Sequence, residues 1–242
     1  MKNKLTVLFQ DDSLLAVDKP AGTLSVPDRY NALRPNLATE LLIDFPAARP
    51  LHRLDTDTSG VLLFCLNPEA FGWYSDQFEN KTVIKKYIAI AEGQCMTEQG
   101  VIDQPLFTET DGKVIIARKG KSSQTEWQVK ERFRFHTCFE LHPLTGRTHQ
   151  IRVHLSSIGH PIVGDKVYGA SGPLFFSTLK GKKYKLSAEL EEERPLISRT
   201  ALHASSLQIQ AFDSGTTLTL ESELPKDMRV ALVKLREWSG LA

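Results

Sequence analysis

The stretch His52-Arg53-Leu54-Asp55-Thr56-Asp57-Thr58-Ser59-Gly60 runs without a break into Val61-Leu62-Leu63-Phe64-Cys65-Leu66. A charge-dense, hydroxyl-rich turn that feeds a wholly apolar run predicts a buried strand with a polar entry. Such an entry is where a reactive side chain can be held rigidly and still meet a substrate. Three chemistries compete for it: a metal loop, a phosphatase nucleophile and a lone catalytic aspartate. Asp55, Asp57, Ser59 and Gly60 fit the first half of a calcium loop, but that loop closes on a bidentate Glu at its twelfth position. Leu66 stands there and cannot ligate. An aspartyl-phosphate nucleophile follows an apolar strand, whereas Arg49-Pro50-Leu51-His52-Arg53 is poor strand material. A solvated turn with a capping Asp is the plain alternative, and it leaves the rest of the chain unexplained.

Composition narrows the setting. The chain has 242 residues, enough for one large domain or two small ones. A net charge of +1 gives no global field toward a polyanion, so any nucleic-acid contact must come from local basic patches. The three cysteines, Cys65, Cys95 and Cys138, are far apart and odd in number, with no C-x-x-C pair. That argues against a zinc site and a disulfide framework. Residues 1–5 lack the apolar segment of a secretory signal, and no window reaches membrane-spanning length. The expectation is a cytoplasmic protein with no membrane segment and no zinc site; a monomer is expected.

Strand signals dominate the chain. Leu5–Phe9 and Leu14–Asp18 flank an acidic turn and read as a hairpin, closed by Lys19-Pro20-Ala21-Gly22. Lys85–Ala91, Val114–Ala117, Thr125–Val129 and Thr137–Leu141 follow, the last two with the period-two alternation of one-faced antiparallel strands. Leu202–Gln210 and Thr216–Leu220 are late strands. Helices are predicted at Asn36–Phe45, Pro68–Phe78, Ile151–Ile158 and Pro225–Trp238, the last with a Met228, Leu232, Leu235, Trp238 stripe. Residues 171–197, rich in Lys and then Glu, read as a mobile insertion. The fold class is α+β, a mixed, mainly antiparallel curved sheet flanked by helices, in a single domain over 1–242.

A second dense cluster is Leu144-Thr145-Gly146-Arg147-Thr148-His149-Gln150-Ile151-Arg152-Val153-His154-Leu155. Arg147 and His149 fall in a turn and Arg152 in the start of a helix, where free N–H groups favour anions. Arg adds a planar fork for carboxylate or phosphate. His149 and His154 are five apart, off the spacing of a His pair on one helix face, so they are no metal pair; His154 and His160 read as hydrogen-bonding core residues. An ordinary salt bridge is the plain reading of Arg152. For Tyr87 it is the aromatic of an amphipathic strand.

Taken together these clusters resemble the RluA family of pseudouridine synthases. His52-Arg53-Leu54-Asp55 with Thr58-Ser59-Gly60 is similar to that family's aspartate motif and Lys86-Tyr87 to its tyrosine motif. Gly146 to His154 is similar to its arginine motif, extended by His160-Pro161-Ile162-Val163-Gly164-Asp165. Asp12 to Gly22 and Leu202-His203-Ala204 also match, so the resemblance runs from residue 5 to about residue 220. It implies the pseudouridine synthase catalytic fold, with a cleft across the sheet, and isomerisation of uridine in ribosomal or transfer RNA without metal or cofactor. Asp55 is then the nucleophile, attacking sugar C1′, assisting elimination to a glycal, or adding to the pyrimidine ring; these routes stay open. Arg152 would pair with Asp55 and keep it ionised, and Tyr87 would stack on the base and serve proton transfer at C5. His52, Arg53, Lys19, Arg147 and His149 are the candidate RNA-binding residues, with the Lys180-Lys182-Lys183-Lys185 patch either a further phosphate contact or a solvated loop. Arg53 is placed to hold phosphate or to occupy the space left by a flipped base. With the hairpin starting at residue 5, no S4-like domain is expected ahead of it. The rival class is an RNA-binding or RNA-folding protein on the same fold, which needs no nucleophile.

Overall fold

The computed structural model describes residues 5–28, 31–169, 171–185 and 192–239. Its strands and helices run β1 (Thr6–Gln10), β2 (Leu14–Lys19), α1 (Leu37–Leu41), β3 (Arg49–Pro50), β4 (Ser59–Cys65), α2 (Phe71–Glu79) and β5 (Ile84–Glu92). They continue through β6 (Gln99–Asp103), β7 (Leu106–Thr108), β8 (Val114–Ile116), β9 (Gln124–Arg132), β10 (His136–Pro143) and α3 (Gln150–Ser157). The last are α4 (Phe176–Lys180), β11 (Leu202–Gln210), β12 (Thr217–Glu221) and α5 (Lys226–Ser239). The fold is α+β, with a mixed, mostly antiparallel sheet as expected. None of the helices described is long and apolar enough to cross a membrane.

The chain divides into two compact units. The first comprises Met1–Lys86 and His203–Glu223, the second Tyr87–Leu202 and Leu224–Ala242. In the first, β2 pairs antiparallel with β1 and β4, and β4 pairs parallel with β11 through His203 opposite Ser59 and Ala204 opposite Gly60. Every residue of β4 is buried, which is why its sequence is continuously apolar rather than alternating. Val61, Leu63 and Cys65 pack with Leu14, Ala16, Leu207 and Ile209 against α2, whose Tyr74 is fully buried. The Tyr74 hydroxyl bonds Ser13 Oγ at 2.9 Å and accepts from Phe212 N at 3.2 Å, so the large ring is buried without stranding its polar end.

The second unit is an antiparallel series, β10 between β5 and β9, with β6 on β9. Along β9 the buried Thr125 and Trp127 alternate with the exposed Glu126 and Gln128, the one-faced pattern predicted from sequence. Phe139 and Leu141 of β10 join Ile151 and Leu155 of α3 and Met228, Leu232 and Leu235 of α5 in one core.

Several expectations need correction. The helix predicted over Asn36–Phe45 covers only Leu37–Leu41. Asn36 caps it by accepting from Thr39 N, but Leu42 and Ile43 find no cover, with Ile43 75% exposed, and Pro46 disfavours further helix. Arg49–Pro50, set aside as strand material, pairs with Cys65 and Phe64 of β4. The short strands β6 and β7 carry too few residues to show a period. The insertion is anchored: Leu174 bridges Ile197, both buried in the core of the second unit, and α4 forms within it. Its residues 186–191 lie outside the described residues.

Candidate active site

In the first unit the aspartate motif is a turn held from several sides. Thr58 N donates to Asp55 O at 3.1 Å, which closes the turn, and Asp55 is half-buried. Thr56 O accepts from Gly22 N at 2.9 Å. Ser25 Oγ both donates to Leu54 O at 2.9 Å and accepts from Leu54 N at 3.0 Å. Ser59 Oγ bonds Nδ1 of the fully buried His203, whose Nε2 bonds the Ser222 carbonyl. A carbonyl only accepts, so a neutral His203 carries its proton on Nε2 and Ser59 donates to Nδ1. Gly60 has φ +113°, and a Cβ there would lie 2.1 Å from Ala204 O, so only glycine lets β4 run beside β11 at the end of the turn.

Two candidate RNA-binding residues in this unit serve other roles. Lys19 is 0% exposed, and its Nζ donates to the carbonyls of Pro20, Thr23 and Thr56 at 3.1, 2.7 and 2.9 Å. It therefore fastens the 19–23 turn to the aspartate motif. A buried ammonium persists only when hydrogen bonds replace its water. His52 stacks on Phe78 at 5.2 Å and 23° between planes, and its Nε2 accepts from Leu63 N at 3.2 Å. Burial, helped by the nearby Lys85 charge, pushes its pKa down to about 3, so it is a neutral packing residue and not a cation for RNA. Arg53 is exposed, as a contact to RNA requires.

The second unit carries Tyr87 and the arginine motif. Tyr87 is half-buried on β5, opposite Leu141 of β10 and packed against the core. Arg152, buried on the first turn of α3, meets Asp165 through both Nε and Nη2, at 2.6 and 2.8 Å. Asp165 also accepts from Val167 N and Tyr168 N. Burial alone would raise its pKa, but the Arg152 hydrogen bonds and charge, with those two backbone donors, outweigh it and hold the carboxyl below its usual range. The Arg152 guanidinium lies 5.1 Å from the Tyr168 ring centroid, and Tyr168 Oη bonds His149 Nδ1 at 3.0 Å and accepts from Val114 N. Arg152 thus enters any reaction with its fork already oriented. Arg147 is exposed, with Nε bonded to Ser122 O at 3.3 Å.

Gln150, which the sequence reading passed over, organises the turn before α3. Its Oε1 accepts from Thr145 Oγ1 and Arg147 N, and its Nε2 donates to Gln124 O and Thr125 Oγ1. Thr125 Oγ1 also bonds Nδ1 of the fully buried His154, whose Nε2 reaches Gln104 O. Burial lowers the His154 pKa, so it sits neutral in this network, the hydrogen-bonding core role expected of it. Asp165, the partner of Arg152, appeared in the sequence only as the acid closing the His160–Asp165 turn. Among the described residues no group of three or more His, Cys, Asp or Glu could hold a metal ion.

The family profile described as RNA pseudouridylate synthase matches residues 13–157, which hold Asp55, Tyr87 and Arg152 in order. The chain belongs to the RluA family of pseudouridine synthases. It is 36% identical over 241 residues to the ribosomal large subunit pseudouridine synthase D of Nitrosomonas europaea, covering 96% of this chain but 65% of that protein. It is 33% identical over 222 residues to the dual-specificity RNA pseudouridine synthase RluA of Escherichia coli K12, covering 90% of this chain and 92% of that one. The solved structure of human RNA pseudouridylate synthase domain containing 4 matches with a TM-score of 0.73 at 28% identity, over 96% of this chain and 93% of that chain. These relatives are named RNA pseudouridine synthases, which are isomerases.

Proposed function

We propose that this chain isomerises particular uridines of ribosomal or transfer RNA to pseudouridine, with Asp55 as nucleophile. In that reaction the bond from base N1 to sugar C1′ breaks, a bond from C5 to C1′ forms, C5 loses its proton and N1 gains one. The observation that carries the assignment is the hold on the Asp55 turn: backbone, Ser25, Gly22 and the buried Lys19 all fix it, while the side chain stays half-buried rather than sealed. Pre-organisation of this kind is what a nucleophile needs and a solvated turn does not. Tyr87 stacks on the target base and serves proton transfer at C5. Arg152 brings a guanidinium whose fork is already held in one orientation by Asp165. Arg53, Arg147 and His149 contact the RNA, Arg53 by taking the place of the flipped base or by holding phosphate. The ribosomal target is suggested by the Nitrosomonas relative's name and the dual range by that of the Escherichia coli relative.

The test is tritium release from cellular RNA labelled at uridine C5. Wild type is expected to release label, and Asp55→Ala to lose at least about a thousandfold, the scale on which a lost nucleophile is felt. Tyr87→Phe is expected to bind RNA but turn over poorly. No release by wild type from any cellular RNA overturns the proposal.

A further inference from the structure

We propose that α4, the turn that follows it through Lys185, and α5 form a second RNA-docking surface, for a single-stranded segment of the RNA being modified. The inference rests on RNA being the substrate. Lys180 ends α4, Gly181–Lys183 continue as a 3-10 turn, and Lys182, Lys183 and Lys185 are exposed. Among the described residues none of these four lysines has a carboxylate partner. Two described carboxylates of this region have other partners: Glu237 takes Lys234 Nζ at 2.8 Å, and Glu193 accepts from Ser177 N at 2.8 Å and bonds Tyr184.

The lysines do not hang from a free loop. Phe176 of α4 meets Trp238 of α5 edge-on at 6.0 Å and Tyr184 at 6.1 Å. Lys180 Nζ lies 4.9 Å from the Trp238 centroid, and Lys234 Nζ lies 5.4 Å from that of Phe176. Trp238 remains 39% exposed. Cations held beside exposed aromatic rings are the combination that binds single strands: the ammonium groups meet phosphates and the rings stack on bases. A chain of net charge +1 has no diffuse field to do this, so a concentrated patch matters more. A solvated lysine loop, the alternative, does not explain the ring cluster that docks it on α5.

The experiment measures binding of a short oligouridylate across salt concentrations, for wild type, for the variant with Lys180, Lys182, Lys183 and Lys185 changed to Ala, and for Trp238→Ala. Loss of four single-strand phosphate contacts is expected to lower the slope of log affinity against log salt by about 3 and to weaken binding at low salt by about tenfold or more. Trp238→Ala is expected to weaken binding about fivefold with its salt slope unchanged, as loss of a stacking ring should. An unchanged slope and affinity in the four-lysine variant overturns the proposal, as does displacement by polyglutamate as effective as by oligouridylate. Tritium release separates the two readings. If wild type binds in this lysine-dependent way but releases no label, the reaction fails and the surface stands. If label is released and the four-lysine variant binds like wild type, the surface fails and the reaction stands.

Discussion

Arg152 and Asp165 share a two-point ion pair, Nε and Nη2 against the two carboxylate oxygens, with Asp165 fully enclosed by its own loop and the arginine ring-stacked on Tyr168. The pair explains how a guanidinium can be buried on the first turn of a helix and still keep one orientation. Removing one partner of such a pair leaves a buried charge without its counter-ion, at a cost of about 3–5 kcal/mol. Asp165→Ala is therefore expected to lower unfolding free energy by about 3 kcal/mol in urea titrations and to lower kcat. Arg152→Lys keeps the charge but loses the fork, so it is expected to lose kcat while folding nearly as well as Asp165→Ala does or better. Full activity in Asp165→Ala would show that the orientation of Arg152 has no part in the reaction.

Lys19 offers a test of a buried cation against a phosphate contact. Lys19→Met keeps the length of the chain and removes the three donations to Pro20, Thr23 and Thr56. The carbonyls of Pro20, Thr23 and Thr56 then lose a charged donor, a loss of roughly 2–4 kcal/mol in stability. Because the Asp55 turn loosens, kcat is expected to fall. The salt slope of RNA binding is expected to stay where it is, since no phosphate contact is lost; a slope lower by about 1 would restore the RNA-contact reading.

The contrast between Lys19 and Asp55 shows what the sequence could tell. The order of strands, the helix carrying Arg152 and the polar entry to β4 were legible because they rest on local periodicity and turn chemistry. The motif order led to the family. The fate of individual polar side chains was not legible. Lys19 and His52 read as candidate RNA-binding residues, and only the tertiary fold shows one turned inward onto carbonyls and the other stacked on Phe78. The role of Gln150 was not legible, because two of its four bonds reach Gln124 and Thr125 on β9, about 25 residues away in sequence, while the other two hold Thr145 and Arg147 in its own turn.

Gly60 tests the close approach of β4 and β11. Any side chain there would require φ +113° of an L-residue and would drive Cβ into the Ala204 carbonyl. Gly60→Ala is expected to cost more than about 3 kcal/mol or to prevent folding. The reciprocal approach, Ala204→Gly, leaves the obstructing backbone in place and is expected not to rescue it. A Gly60→Ala protein that unfolds at the wild-type urea midpoint would contradict the strand pairing.

His52 sets an acid limit on the first unit. Its imidazole ordinarily titrates near 6.5 and is held here to about 3, chiefly by burial. Between those values the unfolded chain binds a proton at this position and the folded chain does not. Stability from His52 is therefore fully present above about pH 6.5, falls as pH drops through the range between the two pKa values, and falls no further below about pH 3. His154 is also shifted downward by burial and acts in the same direction in the second unit. His52→Gln removes the titrating group while keeping an acceptor for Leu63 N. Its unfolding free energy is expected to be lower than wild type at pH 7, because stacking on Phe78 is lost, but to decline less steeply from pH 6.5 to 4. Parallel urea-unfolding curves for the two proteins over that interval would show that His52 is not the buried neutral imidazole that the Leu63 hydrogen bond requires.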